Sequence, residues 1–550
     1  MGTPYHTFAH DATFAPPVSY YDYIVIGGGT SGCALAATLS DRATVLLLER
    51  GDLPYGNPTI NNIATFGVTL SDVSPNSPAQ QFISTDGVIN VRPRVLGGGS
   101  CLNAGFYTRA ESDFVQRAGW NPQLVNESYK WVERKIVFRP PMLEWQSAVK
   151  DGGGVTLQRF TYDHINGTKF GGTIFDHDGH RHTAADLLEY ADPRRIKVYL
   201  KATVQRIIFA SNGQPRPRAT GVEFRDARGN MHKAFLNKGS LNEIILSAGA
   251  LGSPQLLMLS EVLLDQPMVG QGMSDNPMNG IVIPSPRRVE ISLIQVVGIT
   301  RFGSYIEAAS GSITDHIGPH GFAQFLEMFA NRTGLNDTML PDKANQFPSR
   351  SANAGIILEK VTGPLSTGHL ELQSRDPSDN PRVTFNYFQD PQDLQRCVQG
   401  MRTVIELCNT KMISSQMSSC HGLTYHDIPC PGHRVPVFLQ VSVPWVSVET
   451  LISLMLGLPV NVRPRHLSAA FSLEQFCIDT VMTIWHYHGG CQVRRVVDQN
   501  YRVIGVDGLR VIDGSTFDSS PGTNPQATVM MLGRYMGQRI LRQRFRGGKK

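Results

Sequence analysis

Tyr23-Ile24-Val25-Ile26-Gly27-Gly28-Gly29-Thr30-Ser31-Gly32 is the stretch on which the reading of this chain turns. Four apolar residues make a short buried strand and a glycine cluster ends it. Cys33-Ala34-Leu35-Ala36-Ala37-Thr38-Leu39 then continues in a helical pattern. Thr44 to Glu49 is a second apolar strand, so residues 22–49 read as one compact βαβ unit. Gly27, Gly29 and Gly32 fall in the G-x-G-x-x-G spacing between strand and helix. Gly27 allows the tight turn, Gly29 lets backbone approach a pyrophosphate, and Gly32 lets helix and strand pack closely. Around Thr30 and Ser31 the helix N-terminus offers free N–H groups and its dipole to negative charge. Glu49, at the end of the second strand and followed by Arg50, can accept hydrogen bonds from a ribose diol. A glycine-rich turn beside an ordinary surface glutamate is the alternative, and the motif alone does not separate FAD from NAD.

Outward from this unit, the N-terminal arm has a disordered look, and the Pro- and Asn-rich residues 52–90 read as an extended connection. Lys197 to Phe209 alternates as strands do, and Glu243 to Gly249 is a buried strand that runs into a helix, Pro254 to Ser260. Between 285 and 480 strand-like stretches (Gly355 to Leu358, His369 to Gln373) mix with a helical one, Gln392 to Leu407. Leu509 to Asp513 is strand again, followed by a glycine loop and the helix Pro525 to Leu541. The pieces of one nucleotide-binding sheet are thus scattered along the chain, and a second domain is built from the insertions between them.

The 550 residues, 41% of them hydrophobic, suffice for two large intertwined domains. Net charge is only +5 and is spread along the chain, so no nucleic-acid partner is implied, and the basic end Arg542 to Lys550 reads as a solvated tail. No run of about 18 apolar residues exists to span a membrane. Met1 to Tyr20 lacks the cationic start and apolar core of a signal peptide. The expected location is the extracellular space or secretory pathway, with the leader not present in this sequence, or the cytoplasm as the alternative. Sequons at Asn126, Asn166, Asn331 and Asn336 would suit a secreted glycoprotein, although chance supplies such triplets in a long chain. Eight cysteines are too few for a disulfide scaffold, and no pair has zinc spacing, so no metal is expected.

Two further clusters, Arg92 to Asn103 (RPRVLGGGSCLN) and Gly249 to Leu257 (GALGSPQLL), resemble the two signatures of the glucose–methanol–choline (GMC) oxidoreductases. Trp485-His486-Tyr487-His488-Gly489-Gly490-Cys491 and Gly522-Thr523-Asn524-Pro525-Gln526 match the family's C-terminal blocks, in the family's order. Within it the chain is most similar to the plant branch of HOTHEAD-like proteins and flavin-dependent mandelonitrile lyases. The resemblance implies an α/β fold: a discontinuous FAD-binding, Rossmann-like domain of 18–110, 196–282 and 488–545. A discontinuous α+β substrate-binding domain, 111–195 and 283–487, would contain an antiparallel sheet. It also implies FAD with its pyrophosphate on the 27–32 loop and its ring against residues 96–103, where Val95, Gly98, Ser100, Asn103 and Ala104 belong to the binding set. Val204, Ala248, Trp485, His486, Asp513, Gly514, Asn524, Pro525 and Gln526 complete that set by the same resemblance. Some members tether FAD through a histidine just before the asparagine; Leu102 stands there, so non-covalent binding is expected. Cys397 and Cys477 sit where relatives of the lyase branch form a disulfide, with two buried free thiols as the alternative.

Oxidation of a carbinol by hydride transfer to flavin N5 needs a base for the hydroxyl proton, and imidazole suits the task. The family pattern His-x-x-Gly-x-Cys aligns His486 with that base and leaves His488 on a position that is usually apolar or small. Asn524 can hydrogen-bond the alcohol oxygen but cannot act as a base. Mandelonitrile lyases carry histidine there, and tyrosine where Ile484 stands. The expected activity is therefore FAD-dependent oxidation of a primary alcohol, with a lipid-derived ω-hydroxy fatty acid as one candidate and a monomer as the expected state. Hydroxynitrile cleavage and an impaired flavoprotein are the alternatives. Leu451 to Leu458 could line a lipid channel or be plain core. The usual Gly-Ile-Gly-Pro is missing after Ser260, and the region of Gly152 to Val155 looks shortened, so impaired folding or activity stays open.

Overall fold

The computed structural model describes residues 4–72, 74–152, 159–210, 216–260, 265–285, 289–312, 353–408, 466, 468 and 472–546. Leu451 to Leu458, Glu261 to Leu264, most of the segment after Gly152, and the sequons at Asn331 and Asn336 lie outside them.

The βαβ unit forms as its pattern dictates. Tyr23–Ile26 and Val45–Leu48 are strands with every residue buried, joined by the helix Gly32–Ser40. They lie at the centre of a six-stranded parallel sheet in the order Ala9–Asp11, Ile196–Leu200, Val45–Leu48, Tyr23–Ile26, Glu243–Leu246, Leu509–Val511. Both faces are covered, which explains strands that are apolar throughout rather than alternating. One face sends Tyr23, Val25, Val45, Leu47, Val198 and Ile245 into a core with the helices Gly32–Ser40 and Gln526–Arg546. The other sends Ile24, Ile26, Leu46, Leu48, Ile244 and Leu246 against a four-stranded sheet, Thr203–Ala210, Arg218–Arg225, Met231–Leu236 and Val18–Tyr21.

A five-stranded antiparallel sheet, Met278–Ser285, Asn353–Val361, Ser304–Ser312, Val296–Ile299 and Gly167–Phe170, is the second large layer. One of its faces packs Ile281, Ile283, Ile306, Ala308 and Ile357 against the helices Glu144–Gly152, Pro391–Cys408 and Leu473–Asp479. Cys397 and Cys477 are buried in that core and form a disulfide.

Three sequence readings need correction. The arm is ordered: Tyr5 and Phe8 are buried in the first core, Ala9–Asp11 adds an edge strand, and Val18–Tyr21 joins the second sheet. Unlike Tyr23–Ile26, neither of these short strands is a continuous apolar run, so nothing local marks it. Residues 52–90 are not extended; they hold the helices Pro58–Asn61 and Phe66–Ser71 and the hairpin Ala79–Ile83/Ile89–Pro93. The local signals were present in Asn57, which caps the first helix ahead of Pro58, and in Asp86-Gly87 at the hairpin. The helix expected from Pro254 begins earlier, at Gly249. In addition, Phe114, Trp120, Leu124, Val132 and Leu187, from segments expected in the substrate-binding domain, bury themselves in the same core as the helices Gly32–Ser40 and Gln526–Arg546.

Candidate active site

A cavity of about 510 Å³ lies between the carboxyl ends of the parallel strands and the free face of the antiparallel sheet. That volume is in the range of ligand clefts, and the position is where open α/β sheets bind their ligands. Gly27, Gly29, Thr30, Ser31, Glu49 and Arg50 line it from the N-terminal unit, and Val95, Gly98, Asn103 and Ala104 from the second glycine cluster. Val204, Ala248, Trp485, His486, Asp513, Gly514, Asn524, Pro525 and Gln526 line it from later in the chain. Gly32 and Ser100 do not; they build the loops behind it.

At Gly32 an added Cβ would stand 2.0 Å from the Gly27 carbonyl oxygen, so only glycine lets the helix start against its own loop. Gly98 is left-handed (φ +60°), and a Cβ there would meet the Gly29 Cα at 2.7 Å. The two glycine clusters are thus in backbone contact, tied by the Gly97 N–H donating to the Gly28 carbonyl at 2.7 Å. Ser100 donates to the Gly97 carbonyl and accepts from the Ala184 N–H. Arg181, which sequence reading missed, donates to the carbonyls of Ser100 and Asn103 from a buried position and fixes the second loop. No local signal marks it.

Glu49 is buried, and its two oxygens accept from the N–H groups of Gly28 (2.9 Å) and Gly51 (2.7 Å). Burial raises its pKa while these N–H groups and the Arg50 charge oppose the rise. Asp513 accepts from Ser253 Oγ (2.5 Å) and the N–H groups of Gly249 (2.9 Å) and Ser515 (2.8 Å). Asn103 Nδ2 donates to Gln526 Oε1, and Gln526 Nε2 donates to the Phe106 carbonyl, linking two of the expected binding positions.

The segment Thr483 to His488 is the most tightly governed part of the site. Trp485 adopts φ +60°, a left-handed conformation that costs a residue with a side chain about 1–2 kcal/mol. Asp275, fully buried and also missed from sequence, holds that turn. Its carboxylate accepts from the His486 N–H (2.8 Å), Thr483 Oγ1 (2.7 Å) and Tyr387 Oη (2.7 Å). Burial pushes its pKa up to about 6, against these hydrogen bonds. Ser274-Asp275-Asn276-Pro277, a polar cluster ahead of a strand, was its only signal.

Both histidines line the cavity; the His488 backbone pairs with Ser274 and its Nδ1 lies 3.0 Å from the His486 carbonyl. His486 Nδ1 lies 3.4 Å from Tyr305 Oη, and that hydroxyl donates to the Thr523 carbonyl at 3.2 Å. The hydroxyl therefore accepts from Nδ1–H, and Nε2 is the basic nitrogen of His486. Burial, then the charge of Lys360, hold the His486 pKa well below its ordinary value, so the ring is neutral near pH 7. Asn524 Oδ1, Trp485 Nε1 and Ser31 Oγ are buried without hydrogen-bond partners. Unmatched buried polar atoms on one cavity wall, around glycine loops in backbone contact, suit a large polar ligand such as a dinucleotide.

The chain matches the GMC oxidoreductase family over residues 21–278 and 364–533. It belongs to that family. Protein HOTHEAD of Arabidopsis thaliana is 48% identical over 96% of this chain and 89% of that protein. A (R)-mandelonitrile lyase-like protein of the same plant is 44% identical over 98% of this chain and 93% of its own. The sinalpyl alcohol oxidase Nec3 of Nesocodon mauritianus is 38% identical over 98% and 92%. Among solved structures, formate oxidase of Aspergillus oryzae superposes with a TM-score of 0.69 at 18% identity, covering 97% of this chain and 100% of that one, a likeness of fold. FAD is the cofactor, as for this family of oxidoreductases, and the glycine loops described above line a cavity that suits it.

Proposed function

We propose that this GMC oxidoreductase oxidises a primary alcohol, with His486 as the base and Asn524 as hydrogen-bonding partner of the alcohol oxygen. The observation that carries the reading is a neutral, half-buried imidazole lining the same cavity as a carboxamide with an unmatched oxygen. FAD, bound non-covalently with Leu102 at the tethering position, supplies the two-electron acceptor. The chain does the rest: Asn524 orients the hydroxyl, Nε2 of His486 takes its proton, and Asp275 keeps the His486 turn in place as a positioning residue. The apolar side chains of Met278, Ile294, Leu358, Met482 and Ile484 keep water from the carbinol. A relative named as an alcohol oxidase supports the same chemistry, and an ω-hydroxy fatty acid is one substrate class to try. A monomer passing through an oxidising, extracellular route fits the Cys397–Cys477 disulfide and the exposed Asn126 and Asn166 sequons.

The test is anaerobic addition of alcohols to the purified holoprotein, with bleaching of the flavin's visible absorbance expected. The similarity to a mandelonitrile lyase-like protein gives the second reading. Release of cyanide and aldehyde from mandelonitrile with no bleaching by any alcohol would replace oxidation with cleavage. Asn524 speaks against that outcome, because a carboxamide offers no titratable group.

A further inference from the structure

The antiparallel sheet carries a buried ion pair to the wall of this cavity. On its paired strands Tyr305 stands opposite Lys360, Glu307 opposite Leu358 and Ala309 opposite Ile356, so all six share one face. Glu307, Ala309, Ile356, Leu358 and Lys360 line the cavity. Lys360 Nζ is bonded to Glu307 Oε2, and both side chains are out of solvent. Oε1 of Glu307 is buried with no hydrogen-bond partner. Tyr305, two residues before Glu307, touches His486, so the polar pair adjoins the reacting end and the apolar residues lie beyond it.

A buried carboxylate oxygen without a donor is costly, and a plain hydrocarbon chain laid along this face would leave it so. The ion pair is neutral overall, so a carboxylate or an ammonium group on the ligand would bring an uncompensated charge into the cavity. A hydroxyl brings a donor and no charge. We propose that Glu307, held by Lys360, is a specificity-determining residue that accepts a hydrogen bond from a second hydroxyl on the substrate. The substrate class is then an alcohol with a further hydroxyl near its carbinol and an apolar body resting on Ala309, Leu358 and Ile356. This rests on the alcohol-oxidation reading and narrows it.

The experiment compares matched pairs in the holoprotein: meta-hydroxybenzyl alcohol against benzyl alcohol, and a vicinal alkanediol against the primary alkanol of equal length. Both kcat/KM and calorimetric Kd are measured. The hydroxylated member is preferred by about tenfold or more in the wild type, as a hydrogen bond to a charged group provides. In E307M/K360M, an apolar replacement of the pair, the ratio falls to about one; the influence of Lys360 on His486 cancels within each pair. If that double variant does not accumulate, E307Q serves instead, and its weaker acceptor lowers the preference severalfold. No preference in the wild type, or an unchanged one in these variants, overturns the proposal. A preference in Kd that depends on Glu307, with no flavin bleaching by any alcohol, keeps the recognition and defeats the oxidation.

Discussion

The two loops that meet at the cavity reach their shapes by opposite means. The 27–32 loop is written locally: Gly27 takes φ +98°, and Gly32 leaves room for a carbonyl that no side chain could approach. The Thr483–His488 loop has no glycine at its left-handed residue; Trp485 takes φ +60° because Asp275, distant in sequence, accepts the hydrogen bonds around it. The first loop lines the cavity with backbone, and its residues can be named from the chain alone. The second carries the proposed base, and its strain is maintained by tertiary contacts, as is common at functional sites.

The largest break in this comparison is in the second loop. His486→Ala removes the proposed base and is expected to lower kcat/KM by about 10²–10⁴. The wild-type pH profile adds a sign. Because burial holds the folded pKa of His486 below the ordinary value of 6.5, the acid limb of kcat/KM lies below that pH. Stability follows the same linkage: below pH 6.5 the unfolded chain binds a proton that the folded chain excludes, so stability falls as pH drops through that value. His164 and His488, also held down by burial, contribute the same sign, so His486→Ala reduces the slope of that part of the denaturation-midpoint curve, and an unchanged slope would place the titration elsewhere.

Next comes the first loop. Gly32→Ala forces the helix away from Gly27 and is expected to cost about 3 kcal/mol, the upper end for overpacking, with loss of yellow colour on purification. A coloured, stable Gly32→Ala protein would show that this loop is no more local than the other. Asp275→Asn is smaller. It removes charge-assisted hydrogen bonds to the turn, costs about 1.5–3 kcal/mol by denaturation, and lowers kcat more than it raises KM while FAD stays bound.

The same contrast sets how far the sequence could be read. The βαβ unit, the strand before Gly249, the lining residues of both glycine clusters, the disulfide and the His486/Asn524 block were legible, since glycine spacing and family blocks are local patterns. Ala9–Asp11 was not, because its identity as a strand comes from pairing with Ile196–Leu200 and not from its three residues. Arg181, Asp275, Tyr305, Glu307 and Lys360 were not either: their roles arise only when the fold brings them beside segments distant in the chain. Ser100, read as a binding position, does not line the cavity and ties its loop from behind, while Gly32 packs the helix against the loop as its spacing implies.

The smallest predicted effect is the sharpest test of the idea that Asp275 holds strain at Trp485. Glycine adopts positive φ without penalty, so Trp485→Gly relieves the turn of the conformation that Asp275 stabilises while removing a ring from the cavity wall. If the carboxylate's task is to hold that conformation, Asp275→Asn must cost less in the Trp485→Gly background than in the wild type. A double-mutant cycle by chemical denaturation should give a coupling of about 1 kcal/mol, the size of the left-handed penalty. Strict additivity would mean that Asp275 orients His486 and Thr483 alone, and that the conformation at Trp485 is secured by the packing of its own ring. Residues in contact through one hydrogen-bonded turn rarely behave additively, and here the sign is fixed in advance because only the unsubstituted tryptophan needs the support.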